Sequence, residues 1–219
     1  MSDPLPVPAR AVRTELVVER SRFVATLRPV GSVAEAEDVV ARVRREFPDA
    51  RHHCTAWVVG EDGQEQRSSD DGEPAGTAGA PMLAALRGAG VSDVAVVVTR
   101  WFGGTLLGTG GLVRAYGGSV SAALADSGTV ARRRVDLVRV SAGLGDGGRV
   151  EAELRRTFAV EDVDWGGDGW HAVVAVPTGG TDALASHLAA ASLTVTVEGL
   201  GPAVRPAGGV GDRCPALRP

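Results

Sequence analysis

The spacing of hydrophobic positions in the first part of the chain predicts two strands, a helix and a third strand. Alternating or continuous apolar residues predict strands over Thr14–Val18, Phe23–Val30 and His53–Val59. Between the last two, Ser32 provides an N-cap for a helix whose apolar residues recur at helical spacing and which ends near Phe47, just before a proline. Strands and a helix mixed in this way predict an α+β domain.

The segment from residue 81 to residue 126 predicts a buried strand between two helices. Pro81 suits the first turn of a short helix, and Val94–Thr99 is a nearly continuous β-branched run of the kind found in buried strands. A longer helix is predicted over Leu112–Asp126. Gly117 and Gly118 lie inside it, and each costs about 1 kcal/mol relative to alanine. We therefore expect a neighbouring backbone to approach this helix closely at the two glycines.

After residue 134 the pattern predicts the order βαββαβ. The six elements are expected over Leu137–Leu144, Arg149–Phe158, Ala159–Trp165, Trp170–Val176, Asp182–Ala191 and Leu193–Glu198. This order is that of the ferredoxin-like split βαβ unit. The remaining residues, 201–219, are rich in proline and glycine and predict a disordered tail. The sequence thus predicts an α+β protein with domains at 1–134 and 135–200, followed by a tail at 201–219.

Composition places the chain among globular proteins of a reducing compartment. It has 219 residues, 44% of them hydrophobic and 23% charged, which is ordinary for a globular protein with one large or two small cores. No apolar run reaches the about 18 residues that a membrane span needs, and the N-terminus lacks the pattern of a signal peptide. The two cysteines, Cys54 and Cys214, lie far apart. We therefore predict a cytoplasmic protein with no membrane partner and no disulfide framework.

The charge distribution limits which partners the chain can bind. Residues 1–134 hold 16 arginines and 16 carboxylates, whereas the remainder holds 7 arginines and 11 carboxylates and carries the whole net charge of −4. A generally basic nucleic-acid binder would look different, so any RNA contact must use a local patch. All 23 basic residues are arginine. The absence of lysine excludes Schiff-base chemistry and a Walker-type phosphate lysine.

The segment SSDDGEPAGTAGAP at residues 68–81 places three carboxylates, Asp70, Asp71 and Glu73, among glycines and prolines. Carboxylates of this kind could bind Mg²⁺ or Ca²⁺, but their spacing does not fit an EF-hand loop, and adjacent side chains of an extended segment point to opposite faces. The favoured interpretation is a turn in which Asp70 or Asp71 accepts backbone amides around Gly72. No metal site is predicted.

The same carboxylates could also pair with nearby arginines. Arg51 precedes the third strand, Arg100 ends the buried strand, and Arg114 lies near the start of the last helix of the first domain. Our hypothesis is that these arginines and the carboxylates at 70–73 form a salt-bridged surface that faces a partner.

The segment GGTLLGTGG at 103–111 joins a strand to a helix, a context in which backbone amides and the helix dipole hold phosphate. Arg114, in the first turn of the predicted helix, would add a bidentate donor. Neither the Walker pattern nor G-x-G-x-x-G is present. The alternative is a loop whose role is packing. Its glycines would allow four nearby hydrophobic side chains to become buried: Trp101, Phe102, Leu106 and Leu107.

Base stacking and hydrolysis are two further functions that individual side chains could indicate. Trp101, beside Arg100, is the best candidate to stack on an unpaired base, whereas Phe102 and Tyr116 are expected in the core. A hydrolase would need a nucleophile and a base within hydrogen-bond reach, but the side chains of adjacent His53 and Cys54 point apart in a strand. We therefore predict no catalytic residue.

Three segments resemble the motifs of the YigZ/IMPACT family. They are DARHHCTAWV, SSDDGEPAGTAGAPML and VVVTRWFGGTLLGTGGLVRAYGGSV, in the family's order, within residues 15–130. The resemblance implies an N-terminal domain similar in fold to a small-subunit ribosomal protein, the GHMP kinases and domain IV of elongation factor G. It implies a C-terminal domain similar to the last domain of elongation factor G, and a link to translation. Ala80 stands where the family usually has lysine, and Trp101 where tyrosine is common.

These observations together predict a non-catalytic, translation-associated binding or regulatory protein without a cofactor. Its partners would be RNA, the ribosome or a translation-associated protein, with a phosphate-type anion at the Gly-rich loop. The alternative is an enzyme acting on a phosphorylated or nucleotide-like substrate at that loop; a dipeptidase, an activity attributed to some relatives, is disfavoured. The predicted binding residues are Arg51, His53, Asp70, Asp71, Glu73, Thr77, Arg100, Trp101, Gly103, Gly104, Gly110, Gly111 and Arg114.

Overall fold

The computed structural model describes residues 3–207. They form two compact units that divide between Ala131 and Arg132. Both units mix helices with antiparallel sheet, so the predicted α+β class is confirmed. Within the described residues, no helix is both long and apolar enough to cross a bilayer.

The first unit, residues 4–131, is built on a five-stranded antiparallel sheet in the order β2-β3-β6-β4-β5, with a separate two-stranded pair β1-β7. Its strands are β1 Val7–Pro8, β2 Val12–Val18, β3 Ser21–Pro29, β4 His52–Val59, β5 Glu65–Ser69, β6 Val94–Trp101 and β7 Thr129–Val130. Its helices are α1 Val33–Glu46, α2 Gly79–Gly88 and α3 Gly108–Ser127.

Helices cover both faces of this sheet. On one face, α2 and α3 pack on Cys54, Ala56 and Val58 of β4, and on the other α1 packs on Trp57 and Val59. Because both faces are buried, β4 and β6 are continuous hydrophobic runs rather than alternating ones. This arrangement leaves the loops at the ends of β4 and β6 as the place where polar side chains can gather.

The second unit contains the predicted order βαββαβ. Its elements are β8 Arg132–Ala142, α4 Gly147–Thr157, β9 Ala159–Gly166, β10 Gly169–Pro177, α5 Thr181–Ala190 and β11 Thr196–Pro206. The strands form one antiparallel sheet in the order β11-β8-β10-β9. Both helices bury their apolar side chains in a core of their own with one face of this sheet, including Val138, Val174 and Leu184.

The tail predicted from residue 201 is wrong for its first six residues. β11 continues to Pro206, and its last residues pair with Arg132–Arg134 at the start of β8. The pairing tolerates the prolines and glycines because β11 is an edge strand whose register shifts between Gly199 and Gly201. The division between units therefore falls before the predicted boundary at residue 134. The rest of the predicted tail, 208–219, lies outside the described residues.

The close approach expected at the glycines of α3 is only partly present. A Cβ on Gly117 would lie 3.7 Å from the carbonyl oxygen of Pro81, whereas one on Gly118 would meet nothing within 4 Å. Gly117 thus faces α2, as predicted, but at ordinary contact distance. Gly118 is exposed, and nothing in its surroundings requires glycine.

Candidate functional site

Asp70 caps helix α2 from outside the helix. Its Oδ1 accepts the backbone amides of Ala78 at 3.0 Å and Gly79 at 2.8 Å, and its Oδ2 accepts the amide of Gly76 at 2.8 Å. Helix N-termini present unpaired amides, and a carboxylate stabilises them. Burial acts to raise the pKa of Asp70, but the three amide hydrogen bonds outweigh it, so the pKa lies below its ordinary value.

Asp71 holds the loop against β4. Its backbone has the left-handed φ of 43°, which Asp and Asn tolerate better than most residues. Its Oδ2 accepts the backbone amide of His53 at 2.6 Å, and its other oxygen pairs with Arg44 of α1. The backbone carbonyl of Asp71 accepts a hydrogen bond from His52 Nδ1 at 2.8 Å. The carboxylates do accept backbone amides, but these amides belong to Gly76, Ala78, Gly79 and His53 rather than to residues around Gly72, so the predicted turn is not the one that forms.

Glu73 lies in a buried polar cluster. Its Oε1 accepts Arg100 Nη1 and the Tyr116 hydroxyl, both at 2.7 Å, and Arg100 Nη2 reaches Ser21 Oγ at 3.2 Å. The side chains of Arg100 and Glu73 are only 7% and 4% exposed. The Nε of Arg100 is buried and has no hydrogen-bond partner among the described residues.

The salt-bridged surface predicted for residues 70–73 does not form. Of the three arginines that the hypothesis named, only Arg100 pairs with one of these carboxylates within the described residues, and its pair with Glu73 is buried rather than facing outward. Asp70 is used by backbone amides and Asp71 by Arg44, since both carboxylates turn toward the protein. Arg51 and Arg114 have no ion-pair or hydrogen-bond partner within residues 3–207, and both are exposed. Two predicted arginines are therefore available to a partner, although not in the way the hypothesis described.

The Gly-rich loop crosses β3 closely before it enters α3. A Cβ on Gly103 would lie 2.0 Å from the carbonyl carbon of Arg20, so this position accepts glycine only. Gly104 and Gly108 have positive φ angles of 88° and 67°, which glycine adopts without strain. Helix α3 begins at Gly108, with no side-chain cap at its N-terminus.

Because α3 starts earlier than predicted, Gly110 and Gly111 lie in its first turn and Arg114 lies in its second. The Arg114 side chain nevertheless points back toward the helix start, as helical side chains do. A Cβ on Gly110 would lie 3.5 Å from Arg114 Nη1. The bidentate donor that the sequence placed near the helix N-terminus is therefore still there.

The packing expected of the hydrophobic loop residues is wrong at two positions. Phe102 is 44% exposed and Leu106 is 87% exposed, whereas Tyr116 is fully buried as predicted. Trp101, the predicted stacking residue, is already engaged. Its Nε1 donates to Asp49 at 2.8 Å, and the guanidinium of Arg22 lies 4.6 Å from its ring centroid. Phe102 also has a guanidinium near its ring, that of Arg100 at 5.7 Å from the centroid, but its greater exposure makes it the ring that a partner can reach.

Two clefts flank this loop and share Leu106 and Leu107. The Arg51 cleft has a volume of about 390 Å³ and is lined by Arg51, His52, Glu73, Pro74, Arg100, Phe102, Leu106, Leu107, Gly108, Thr109 and Leu112. The Arg114 cleft has a volume of about 380 Å³ and is lined by Leu16, Val18, Glu19, Thr105, Leu106, Leu107, Gly111, Arg114 and Ala115. We call the loop 102–108 and these two clefts the motif face.

The motif face brings together part of the predicted set. Arg51, Glu73 and Arg100 line one cleft, and Gly111 and Arg114 line the other. The remaining polar residues serve the loop itself. Thr77 is buried, and its hydroxyl donates to the Pro74 carbonyl at 2.7 Å.

Three contributors were missed by the sequence analysis: His52, Phe102 and Thr109. His52 could have been predicted from the strand pattern. Neighbouring side chains in a strand point to opposite faces, so His52 faces the cleft because His53 is buried.

His53 and Cys54 do not form a nucleophile and base. The Cys54 thiol is buried and donates to the Asp70 carbonyl at 3.0 Å, and burial raises its pKa to about 12. His53 is also buried, its Nε2 lies 3.1 Å from the Phe47 carbonyl, and burial is the main reason why its pKa lies below the ordinary value. A thiol held protonated is a poor nucleophile. Within the described residues, no three His, Cys, Asp or Glu side chains are grouped so that they could hold a metal ion.

Comparison with known proteins identifies the family. The Impact N-terminal domain model matches residues 19–124. YigZ, an IMPACT family member of Escherichia coli strain K12, is 54% identical over 120 residues, 54% of this chain and 59% of YigZ. YvyE of Bacillus subtilis strain 168 is 41% identical over 152 residues, 69% of this chain and 70% of YvyE. The chain belongs to the IMPACT family, as the motif resemblance predicted.

A crystal structure of a hypothetical protein extends the similarity to the whole fold. It is 37% identical, covers 90% of this chain and 97% of its own, and superposes with a TM-score of 0.63. The alignment with YigZ, by contrast, spans little more than half of either chain. The family model, at residues 19–124, lies wholly within the unit that carries the motif face.

Proposed function

We propose that this chain is a non-catalytic, translation-associated binding protein that engages RNA, the ribosome or a translation-associated protein through its motif face. The link to translation comes from family membership and the resemblance of the three motifs. One observation carries the proposal. Two exposed arginines without a partner among the described residues, Arg51 and Arg114, lie on either side of the exposed side chains of Phe102 and Leu106.

The chemistry of this face is that of a recognition surface. Exposed apolar side chains grouped with arginine and an aromatic ring are typical of binding sites. Leu106 is 87% exposed, which favours a partner that would cover it. Arginine also suits phosphate, because its guanidinium donates two parallel hydrogen bonds.

A phosphate-type anion is proposed at the start of α3. This helix has no side-chain cap, so its first amides are unpaired donors at the positive end of the helix dipole. The side chain of Arg114, from the second turn, reaches back toward Gly110 in the first turn. A backbone phosphate of RNA would meet both kinds of donor there.

The alternative, an enzyme acting on a phosphorylated or nucleotide-like substrate, needs an acid or base free to act in the cleft. Of the carboxylates near the Gly-rich loop, Glu73 accepts Arg100 and Tyr116, and Asp70 accepts three amides. His52 is the single remaining acid–base group among the described residues that line the Arg51 cleft. The other acid–base group of the motif face is the exposed carboxylate of Glu19, which lines the Arg114 cleft instead. Because neither cleft combines a free acid with a free base, the arrangement favours binding over catalysis, and we propose neither a catalytic residue nor a cofactor.

Two finer assignments accompany this proposal. The order βαββαβ with strands arranged β11-β8-β10-β9 supports a ferredoxin-like second unit, and the resemblance supports a first unit similar to domain IV of elongation factor G. Both similarities fit a protein of the translation apparatus, and we propose a cytoplasmic location for it.

The proposal is tested by measuring binding of the purified chain to ribosomes by co-sedimentation and to a fluorescent 12-nucleotide single-stranded RNA by anisotropy, at low and moderate salt. The test variant is Arg51→Ala/Arg114→Ala. Its matched control is Arg42→Ala/Arg45→Ala, which removes two exposed, unpaired arginines of α1. We expect the test variant alone to lose binding, with a salt slope smaller by about 0.7 for each lost phosphate contact. Equal losses in both variants, or binding that ignores salt, would contradict the proposal.

A further inference from the structure

We infer that the Arg51 cleft holds one unstacked base of single-stranded RNA, with Phe102 as the ring on which the base stacks. The inference rests on the proposed function and names the part of the partner that the cleft recognises. It assigns the two sides of the motif face different tasks, the Arg51 cleft for a base and the start of α3 for phosphate.

The shape and lining of the cleft suit a flat, largely apolar group. Its volume is about 390 Å³, and its walls include Pro74, Leu107 and Leu112. Phe102 lies at this cleft with 44% of its surface exposed. Proteins that bind single strands stack splayed-out bases on rings placed in this way.

Arg100 provides an unused donor in the wall of the cleft. The residue is 5% exposed, and its terminal nitrogens are taken by Glu73 and Ser21. Its Nε is buried with no hydrogen-bond partner among the described residues. A buried donor without an acceptor costs free energy, and the carbonyl oxygens and ring nitrogens of a base edge are acceptors. A modest shift of the guanidinium on binding would bring the two together.

His52 provides an acceptor beside that donor. The Asp71 carbonyl can only accept, so His52 Nδ1 donates to it across 2.8 Å. In the neutral ring this leaves Nε2 with its lone pair. An amino group of a base or a ribose 2′-hydroxyl can donate to it, and the hydroxyl is what distinguishes RNA from DNA. Arg51 lines the same cleft and has no ion-pair partner among the described residues, so it is available to the adjoining phosphate.

An apolar side chain of a partner protein is the rival occupant. It would contact Leu107 and Leu112 equally well, but it would leave Arg100 Nε without an acceptor and His52 Nε2 without a donor. A base satisfies the apolar walls and both polar groups. The structure therefore favours RNA, and a protein side chain becomes one outcome of the test.

The probe is a 12-nucleotide oligouridylate, in one version with a central 2-aminopurine and in another with a central abasic site. Binding is measured for the wild type, Phe102→Ala, Phe102→Trp and the control Leu144→Ala, which shortens an exposed apolar residue of the second unit. Thermal melting shows that each variant is folded. We expect binding to quench 2-aminopurine, Phe102→Ala to weaken binding about 10- to 100-fold, and Phe102→Trp to preserve it. The abasic strand should bind the wild type as weakly as the intact strand binds Phe102→Ala.

The outcomes separate the inference from the proposed function. If RNA binding is lost in Arg51→Ala/Arg114→Ala but is unchanged by Phe102→Ala and by the abasic site, the proposed function stands and the base site is wrong. If no RNA binds, while ribosome co-sedimentation depends on Phe102 and survives ribonuclease treatment, the cleft holds a protein side chain and the inference is overturned. If neither ribosomes nor RNA bind, both fail.

Discussion

The buried ion pair between Arg100 and Glu73 fixes the base of the motif face. Arg100 and Glu73 are almost fully buried and are joined at 2.7 Å. Removing one partner of such a pair leaves a charge in a medium that solvates it poorly, at a cost of about 3–5 kcal/mol, whereas replacing both by apolar residues costs much less. We expect Arg100→Met to lower the free energy of unfolding by that amount in urea denaturation followed by tryptophan fluorescence.

The control for this prediction is the double variant Arg100→Met/Glu73→Leu, which removes both charges. It should recover most of the stability that Arg100→Met loses. A wild-type urea midpoint for Arg100→Met would show that the pair is not structural. Because Arg100→Met is expected to destabilise the fold, Arg51 and Arg114 are better suited than Arg100 to a test of RNA binding.

The acid sensitivity of the loop depends on Asp70. Its pKa is lowered in the folded chain from an ordinary value of 3.8, so its stabilising effect is complete above that value and is lost as the pH falls through the lowered pKa. Near neutral pH, we expect Asp70→Asn to cost about 1 kcal/mol, like other losses at a helix N-cap. The stability difference from wild type should narrow as the pH falls below about 4.

This difference is measured by thermal melting between pH 7 and pH 3. Asp38→Asn, which removes one exposed carboxylate of α1, gives the background effect of a lost charge. A difference that stays constant over the whole range would mean that the three amide hydrogen bonds do not depend on the ionised carboxylate.

The contacts of the loop carboxylates could not be predicted from residue identity alone. The sequence marked Asp70, Asp71 and Glu73, because carboxylates on glycine-rich backbone are unusual. The amides that Asp70 accepts lie only six to nine residues away. The other partners come from distant parts of the chain: Arg44 lies 27 residues from Asp71, and Arg100 and Tyr116 lie 27 and 43 residues from Glu73. Such pairings are set by tertiary contacts, which no local pattern encodes.

At the scale of elements, the fold requires glycine in the loop between β6 and α3 but not in the middle of α3. Gly103 lies against the backbone of Arg20, whereas a side chain at Gly118 would meet open space. We expect Gly103→Ala to lower the melting temperature, because the loop must move away from β3. Gly118→Ala should raise the free energy of unfolding by up to about 1 kcal/mol, the helix-propensity difference.

Urea denaturation of the two variants beside wild type checks this prediction, and each variant is the matched control for the other. A stable Gly103→Ala would show that the loop does not need its close approach to β3. A destabilised Gly118→Ala would indicate that a partner or a second contact covers this part of α3.

The elements that the sequence predicted are those whose pattern is set by burial. β4 and β6 were found because both of their faces are covered, and α1 because Ser32 caps it and accepts the Glu35 amide at 3.2 Å. β5 was missed, since Glu65–Ser69 contains no hydrophobic residue and pairs with β4 at the sheet edge through its backbone. The end of β11 was missed for a similar reason: its prolines and glycines are tolerated at an edge.

For the whole molecule, the position of the domain boundary changes the distribution of charge. The predicted boundary gave the entire net charge of −4 to the C-terminal part. With the division before Arg132, three arginines move to the second unit. Residues 132–219 then hold ten arginines and eleven carboxylates, and residues 1–131 hold thirteen arginines and sixteen carboxylates. Neither unit is basic, so net charge does not indicate which unit would bind RNA, and the proposal depends on the local motif face.

That conclusion leads to a prediction about the separated units. The two cores that enclose the sheet of the first unit consist only of residues between Val12 and Leu124, so residues 1–131 should unfold cooperatively by themselves. Because the motif face lies wholly within them, we expect residues 1–131 to bind the 12-nucleotide RNA with the affinity and salt slope of the full chain. Residues 132–219 also carry a small negative net charge but lack Arg51, Phe102 and Arg114. They are the control and should not bind. If both pieces fold and only the intact chain binds, the motif face is insufficient and the second unit contributes directly to recognition.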